Sequence, residues 1–362
     1  MHTLKSVKHK DALSNSNLLL IIAGGIFIIM YGLAILRYPG SFLQFQTFFD
    51  LFNLNAPLII LTMGMSIVMI GGGIDISVGA VTGLVTMCCA VFLESRMGSV
   101  WGALLLALAI GLSFGLLQGY LVAYLDVQPF IITLAGMFLA NGLLTTIHKD
   151  PLNVTLPEFI ALRDTELVIP WLGTTNRLGN FIPLEIKPGT IIVIVLIIAL
   201  AILMKWARFG RNLYAVGGNR QSALMLGINV KRTTFQSYLL CGLLSGLAGF
   251  VYIMTTGAGN VGNAAGFEMK AIASSIIGGT MLTGGVGNIF GSPVGALILL
   301  TINELIRAAG VNSNYQAIVS GFLLYLFIVL QSLVVWARGS GSFKLALPSW
   351  LIPIKKQVHK TE

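Results

Sequence analysis

Residues 65 to 85, MSIVMIGGGIDISVGAVTGLV, constrain the fold of this chain most strongly. Two apolar runs are separated there by Gly71, Gly72 and Gly73 and by one carboxylate, Asp75. In lipid, an interrupted helix leaves backbone groups unpaired unless they are buried in protein or line a water-filled cavity. An ionisable residue at such a break is a functional candidate. The stretch therefore predicts a membrane protein with a broken helix beside a solute pathway.

A simpler interpretation of the same residues is a tight turn at the membrane surface, in which Asp75 caps the next helix. A cap costs nothing, whereas a charge at the bilayer centre costs about 3 kcal/mol. The two interpretations are compatible, and both stay open for Asp75.

Composition sets the class of protein. Of the 362 residues, 56% are hydrophobic and 10% are charged, whereas a soluble domain has about 25% charged residues. We therefore expect an all-α polytopic membrane protein. Gly111, Gly115 and Gly119 are spaced by four residues and share one helix face, which is typical of close helix packing in lipid.

The apolar runs predict ten transmembrane helices. The first run follows three lysines and is about 28 Å long as a helix, so we interpret it as an uncleaved span. The eighth run and its neighbour are interrupted by glycines, as at residues 71–73, and a re-entrant pair is the alternative there. The ten runs cover residues 18–36, 51–70, 76–93, 100–125, 129–147, 190–206, 234–256, 267–283, 288–307 and 315–337.

The basic residues predict that both ends of the chain are cytoplasmic. With ten spans, the amino tail 1–16, the segment 205–233 and the carboxyl tail 338–362 lie on one side, and 17–337 form the membrane domain. Segment 205–233 has six basic and no acidic residues, whereas the loop 148–189 on the other side has four basic and five acidic ones. Cytoplasmic connections carry the excess of Lys and Arg.

Segment 205–233 also contains a predicted short helix. Gly217 and Gly218 are expected to form a turn, Asn219 an N-cap, Arg220 to Leu226 two helical turns, and Gly227 a C-terminal cap. A capped helix too polar to span suggests a docking element. The alternative is a basic surface helix held by anionic lipid headgroups.

The two glycine-rich regions resemble each other locally. Both Ser77–Val81 and Pro293–Leu297 contain the core VGA after a glycine-rich approach. Transporters are often built from two repeats with broken helices at the substrate site. The match is short, and it favours two related halves.

Three longer motifs carry a family resemblance. IGGGIDISVGA, AVGGNRQSALMLGI and IASSIIGGTMLTGGVGNIFGSPVGA resemble the signature regions of the permease subunits of bacterial ABC importers for monosaccharides, of the ribose and galactose type. PFIITLAGMFLANG at 129–142 is most similar to the galactofuranose branch. The resemblance covers nearly the whole chain, although loop 148–189 and the tail after Trp336 are longer than is usual in the family.

The resemblance implies a type II importer-like fold of about ten helices in the bacterial cytoplasmic (inner) membrane. It implies a pair of permease subunits, identical or paralogous, with two cytoplasmic ATPase subunits and an extracytoplasmic sugar-binding protein. ATP and Mg would be bound by the ATPase, and no cofactor by this chain. The match to the coupling-helix region covers Gly217, Gly218, Asn219, Arg220, Ala223, Gly227 and Ile228, with Ala223 expected to sit against the ATPase.

The residues give no support for an enzyme. No G-x-x-x-x-G-K-[ST] motif occurs, the four histidines lie outside the spans, and the three cysteines lie in apolar runs without metal-ligand spacing. We therefore expect neither catalytic nor metal-binding residues. The alternative functions are import of a nucleoside or another small polar solute by the same architecture, or an ion-coupled carrier that uses Asp75 or Glu268.

The translocation path is predicted from polar residues within the spans. Neutral side chains such as Gln118, Thr133, Asn141 and Asn303 offer hydrogen bonds suited to sugar hydroxyls. Each is equally suited to interhelical hydrogen bonding, which contributes about 1 kcal/mol. The candidate path or gate residues are Gly72, Gly73, Asp75, Ser77, Gln118 and Asn141. Loop 148–189 is expected to contact the binding protein.

Overall fold

The computed structural model describes residues 4–96, 98–175 and 181–310, together with single helical residues between 315 and 329. Helices dominate this part of the chain, and four short strands accompany them. The helices are α1 Leu4–Arg37, α2 Pro39–Phe42, α3 Phe45–Asn53, α4 Ala56–Ile70, α5 Val78–Leu93, α6 Val100–Tyr124, α7 Pro129–Ile147, α8 Pro157–Arg163, α9 Pro188–Trp206, α10 Arg208–Gly218, α11 Arg220–Met225, α12 Val230–Thr256, α13 Phe267–Ile277 and α14 Gly291–Ala308. The strands are β1 Leu152–Asn153, β2 Leu167–Thr175, β3 Phe181–Ile186 and β4 Ala258–Gly259.

Five helices of the described residues are long and apolar enough to cross a membrane, and a bent pair gives up to six. The five are α1 from Leu18 onward, α6, α7, α9 and α12. The predicted class, a helical protein of the membrane, is confirmed at this level. The count is lower than ten because several of the remaining apolar runs form short or bent helices.

The second predicted span, 51–70, is not one straight helix. It divides into α3 and α4, which are bent by 60°. The third, 76–93, is the 16-residue helix α5.

The eighth predicted span, 267–283, is helical only as far as Ile277, where α13 ends, so the interruption predicted from its glycines is observed. The 11 residues of α13 extend about 16 Å, roughly half of the 30 Å hydrocarbon core. Most of the tenth predicted span, 315–337, lies outside the described residues.

Helix α4 forms the centre of the molecule. All 15 of its residues are buried, in agreement with the rule that a helix hydrophobic on every side lies inside a protein. It packs against α12, α13, α14 and α9. The largest apolar cluster includes most of α4 together with side chains of these neighbours. The first glycine break therefore begins at the end of the most buried helix.

A seam of glycines joins α6 to α12. A Cβ added to Gly111 would overlap the carbonyl oxygen of Gly242 and approach the nitrogen of Gly246 to 2.7 Å. A Cβ on Gly115 would lie 2.8 Å from the carbonyl oxygen of Tyr238. The predicted packing role of the glycines spaced by four is confirmed, since small residues let two backbones approach.

The described residues of loop 148–189, namely 148–175 and 181–189, are folded. They contain α8, whose Phe159 is fully buried, and strand β1, which pairs antiparallel with β4. Strands β2 and β3 form a hairpin with an irregularity between Ile169 and Gly173. Asn53 of α3 holds the hairpin base, because its Nδ2 donates to the Glu185 carbonyl oxygen at 3.0 Å. The hairpin is therefore fixed to the end of a helix that enters the core.

We predict that Gly111→Ala destabilises the protein. The added methyl group cannot fit between α6 and α12, and overpacking of this kind costs about 1–3 kcal/mol. The measurement is thermal unfolding of the purified protein in detergent. Gly25→Ala in α1, where an added Cβ meets nothing within 4 Å, is the matched control, and equal melting temperatures for both variants would contradict the seam.

Candidate functional site

Two irregular segments interrupt the buried helices. The first break, residues 71–77, lies between α4 and α5, and the second break, residues 278–290, lies between α13 and α14. The amide of Gly285 donates to the carbonyl oxygen of Ile70 at 2.8 Å. The second break therefore pairs with the end of α4, where the first break begins, and this satisfies a carbonyl group that the end of the helix leaves open.

The end of α10 reaches the same place. A Cβ on Gly217 would overlap the carbonyl oxygen of Ile70 and come within 2.6 Å of the Gly285 nitrogen. Gly284 has φ +80°, and a Cβ there would approach Gly217 and Gly72 to 2.9 Å. We call this meeting of residues 70–73, 217–218 and 284–285 the glycine junction. Three backbones touch there with almost no side chain between them.

Tyr214 adds a side-chain link between α10 and the second break. Its hydroxyl donates to the carbonyl oxygen of Gly287 at 2.9 Å. Burial raises the pKa of Tyr214 to about 12, so the hydroxyl stays protonated near neutral pH and remains a donor. The sequence carried no signal for this contact, because the two residues are 73 positions apart.

Asp75, Ser77 and Gln118 form a buried hydrogen-bonded chain. Gln118 Nε2 donates to Ser77 Oγ at 2.8 Å, and Ser77 Oγ donates to Asp75 Oδ1 at 2.7 Å. The amide of Ser77 also donates to Asp75 Oδ1, at 3.0 Å. The carboxyl group thus organises the turn that precedes α5, but it does not cap that helix as the simpler interpretation expected, because Ser77 holds the N-cap position and no side chain accepts a bond from the first amides of α5.

Helix α12 covers the first break from the other side. The Tyr238 hydroxyl lies 3.4 Å from the carbonyl oxygen of Ile74, and a Cβ on Gly73 would overlap that hydroxyl. Tyr238 thus leaves no room for a side chain at position 73. The sequence did not predict this contact. Gly72 has φ +85° and is exposed.

The predicted short helix in segment 205–233 is observed as α11. Asn219 Oδ1 accepts from the amide of Ser222 at 2.8 Å, as an N-cap does. Gly227 has φ +75°, and the amides of Gly227 and Ile228 donate back to the carbonyls of Leu224 and Ala223. These two hydrogen bonds together form a Schellman motif, so both predicted caps are confirmed.

Two expectations for this segment are wrong. Gly217 and Gly218 do not form a turn but complete α10, because a residue without a side chain can continue the helix against Ile70. Ala223 does not face a partner, since only 1% of it is exposed. It packs with Val216 and Val230, which fixes α11 to the neighbouring helices.

Exposed apolar residues lie at the end of α11 and directly after it. Leu224, Met225 and Leu226 are exposed by 55%, 85% and 77%. At the other end of α11, Arg220 Nη2 contacts Asp126 Oδ1 at 2.6 Å, which links α11 to the connection between α6 and α7. A cavity of about 760 Å³ lies between this ion pair, the first break and α12.

The other candidate path residues differ in their position relative to the Asp75 cluster. Asn141 is exposed on α7, and the structure does not bring it to Gln118. Thr133 is buried beside the first break, because its hydroxyl contacts the Pro129 carbonyl oxygen at 2.9 Å and lies 3.4 Å from the Ile74 carbonyl oxygen. Asn303 Oδ1 is buried without a hydrogen-bond partner among the described residues.

Comparison with known proteins gives a consistent result. Residues 47–328 match the family described as "Branched-chain amino acid transport system / permease component". The chain is 33% identical to the fructose import permease protein FruG of Bifidobacterium longum, over 87% of this chain and 90% of that protein. It is 34% identical to the ribose import permease protein RbsC of Bacillus subtilis, over 85% and 90%.

A further relative is the inner membrane ABC transporter permease protein YjfF of Escherichia coli. It is 34% identical to this chain over 90% of the chain and 96% of its own length. No solved structure matches this chain.

We predict that Asp75→Asn keeps the melting temperature, whereas Asp75→Leu lowers it. The Asn side-chain oxygen can accept the Ser77 bonds, but Leu leaves a buried amide unpaired at a cost of about 1–3 kcal/mol. Thermal unfolding of the purified variants measures the difference. If Asn is as destabilising as Leu, a neutral acceptor does not suffice at this position.

Proposed function

This chain belongs to the family of transport-system permease components, and on that premise we propose that it forms the translocation path of an ATP-driven importer for a monosaccharide. It is a transport subunit and not an enzyme. The relatives named for fructose and ribose import support a sugar as substrate. The observation that carries the proposal is the glycine junction, where a short capped helix with an exposed apolar end is linked through α10 to both broken helices.

The solute class rests on the relatives rather than on a binding pocket. The family description names amino-acid transport, whereas FruG and RbsC are named for sugars. Because the buried polar side chains of α4, α5 and α6 are neutral hydroxyl and amide groups, such as Ser66, Thr82 and Gln118, the interior suits a polyhydroxylated solute more than a charged one. Import of a nucleoside or another small polar solute is the alternative.

An ion-coupled carrier is less well supported. Such a carrier needs a carboxylate that exchanges ions with a water-filled path. Asp75 is 2% exposed, and its Oδ1 is occupied by Ser77. Glu268 lies in the first turn of α13, at the end of a helix and not deep within one. We therefore assign the energy source to ATP hydrolysis by a partner, which would bind ATP and Mg.

The ATPase docks, in this proposal, on the end of α11. Three neighbouring apolar side chains exposed to water at Leu224–Leu226 form the kind of patch that marks a protein contact. The buried Ala223 and the two caps hold the patch in one conformation, which reduces the entropic cost of docking. The basic residues around α11 agree with a cytoplasmic location.

We propose the following arrangement of the spans and termini in the membrane. Ten spans, with the short helices α4, α5, α13 and α14 beside the two breaks counted, and both termini in the cytoplasm keep segment 205–233 on the ATPase side. A second permease subunit, identical or paralogous, completes the path. Asn141 then faces that subunit or the solute, because an exposed amide in an apolar helix is poorly suited to lipid.

The hairpin of β2 and β3 is the proposed contact for an extracytoplasmic sugar-binding protein. Trp171, at the irregularity of the hairpin, is 80% exposed, and exposed aromatic residues are enriched among interface anchors. The base of the hairpin is tied to α3, so docking there acts directly on a helix bent against α4.

We predict that Met225→Asp prevents co-purification of the ATPase subunit. A carboxylate placed in an apolar contact loses its hydration without gaining a partner. The measurement is affinity purification of the tagged permease from its source cells, with the ATPase identified by mass spectrometry. Leu172→Asp in the outer hairpin is the control. Absence of any ATPase with the unaltered chain would refute the proposed function, and normal recovery with Met225→Asp would move the docking site elsewhere.

We also predict that Trp171→Ser lowers the stimulation of ATP hydrolysis by loaded binding protein. Loss of an interface tryptophan typically costs about 2 kcal/mol or more, which raises the concentration of binding protein required at least tenfold. ATPase activity is measured in proteoliposomes at increasing binding protein. Trp206→Ser, 70% exposed at the other end of α9, is the matched control. An unchanged titration would exclude the hairpin as the contact.

A further inference from the structure

We infer that Gly217 is the positioning residue through which movement of α11 reaches both broken helices together. The inference rests on the proposed function, since it assumes that a partner ATPase moves α11. It goes further because it assigns the transmission to one backbone contact. The first and second breaks then move as a unit instead of one after the other.

No side chain separates α10 from the two breaks at Gly217. At Gly217 the backbone of α10 lies directly against the Ile70 carbonyl oxygen and the Gly285 amide, which are bonded to each other at 2.8 Å. A side chain between two elements can change rotamer and absorb a small displacement. Backbone packed on backbone cannot, so a shift of α10 displaces both breaks.

Helix α11 is linked closely to the junction. A single residue, Asn219, separates α10 from α11, and its side chain caps α11. Ala223 packs against Val216 of α10. The two helices therefore move together, and small shifts between packed elements are converted into larger rearrangements when the elements have two arrangements.

Two adjacent glycines of α10 differ in their surroundings. Gly218 follows Gly217 in α10, yet a Cβ on Gly218 meets nothing within 4 Å. Gly217→Ala and Gly218→Ala therefore make the same change in helix propensity, but only Gly217→Ala pushes the three backbones apart. The pair separates the effect of the contact from the effect of losing a glycine.

The experiment measures movement directly, so it needs no identified solute. Spin labels are placed at Ser95→Cys, after α5, and Ala309→Cys, after α14, both at exposed positions. The background carries Cys88→Ala, while Cys89 and Cys241 are buried. The full complex with its ATPase is reconstituted, and the distances between labels are measured without nucleotide and after trapping with ATP and vanadate.

The unaltered chain and Gly218→Ala are expected to show the same shift in distance on trapping. Gly217→Ala is expected to lose the shift while the ATPase remains bound and hydrolyses ATP. Equal shifts in both variants would overturn the inference without affecting the proposed function. Failure of the unaltered chain to retain an ATPase would instead refute the proposed function.

Tyr214→Phe provides a second test if Gly217→Ala does not fold. This change adds no volume and removes only the hydrogen bond to the Gly287 carbonyl oxygen. Because the backbone contact of Gly217 with Ile70 and Gly285 stays intact in this variant, Tyr214→Phe is expected to keep the shift in distance, with the ATPase still bound. Loss of the shift in Tyr214→Phe would overturn the inference, because transmission would then depend on the Tyr214 side chain and not on Gly217.

Discussion

The hydrogen bond from the Gly285 amide to the Ile70 carbonyl oxygen is the interaction on which the rest of the site depends. A chain that interrupts buried helices in lipid must pair the exposed backbone groups within the protein. Here an amide of the second break pairs with the last carbonyl of α4, where the first break begins, 215 residues away in sequence. Neither break is a complete local structure. The irregular backbone exists because both halves of the chain are folded around α4.

Much of the architecture could be predicted from sequence because its causes are local. Long apolar runs fixed α6, α7, α9 and α12 to within a few residues, and Asn219 and Gly227 marked the ends of α11 because caps act over three or four residues. The break at residues 71–77 was equally visible, since three glycines beside a carboxylate do not continue an apolar helix. These features depend on neighbours along the chain.

The rest depends on contacts between distant residues. The direction of Ala223 could not be predicted, because a six-residue helix has no apolar periodicity long enough to define its buried side. The sequence predicts only a basic connection over residues 208–218, although they form a helix in which Gly217 fits against Ile70. The glycines after Ile277 indicate the end of α13, but the packing of Gly278 against Gly291 is a contact that no local pattern specifies. Tyr214 and Tyr238, which hold the two breaks, carried no signal at all.

The complete burial of α4 also has a consequence for biosynthesis. The helices that cover α4, namely α9, α12, α13 and α14, all follow it in the chain. Until the ribosome has completed these helices, α4 is exposed to lipid or to the insertion machinery. Its apolar surface is compatible with this exposure, because an apolar helix is stable in a bilayer before other helices enclose it. A product truncated before α12 would hold this helix without its cover, and quality-control proteases of the membrane would encounter it as an unassembled segment.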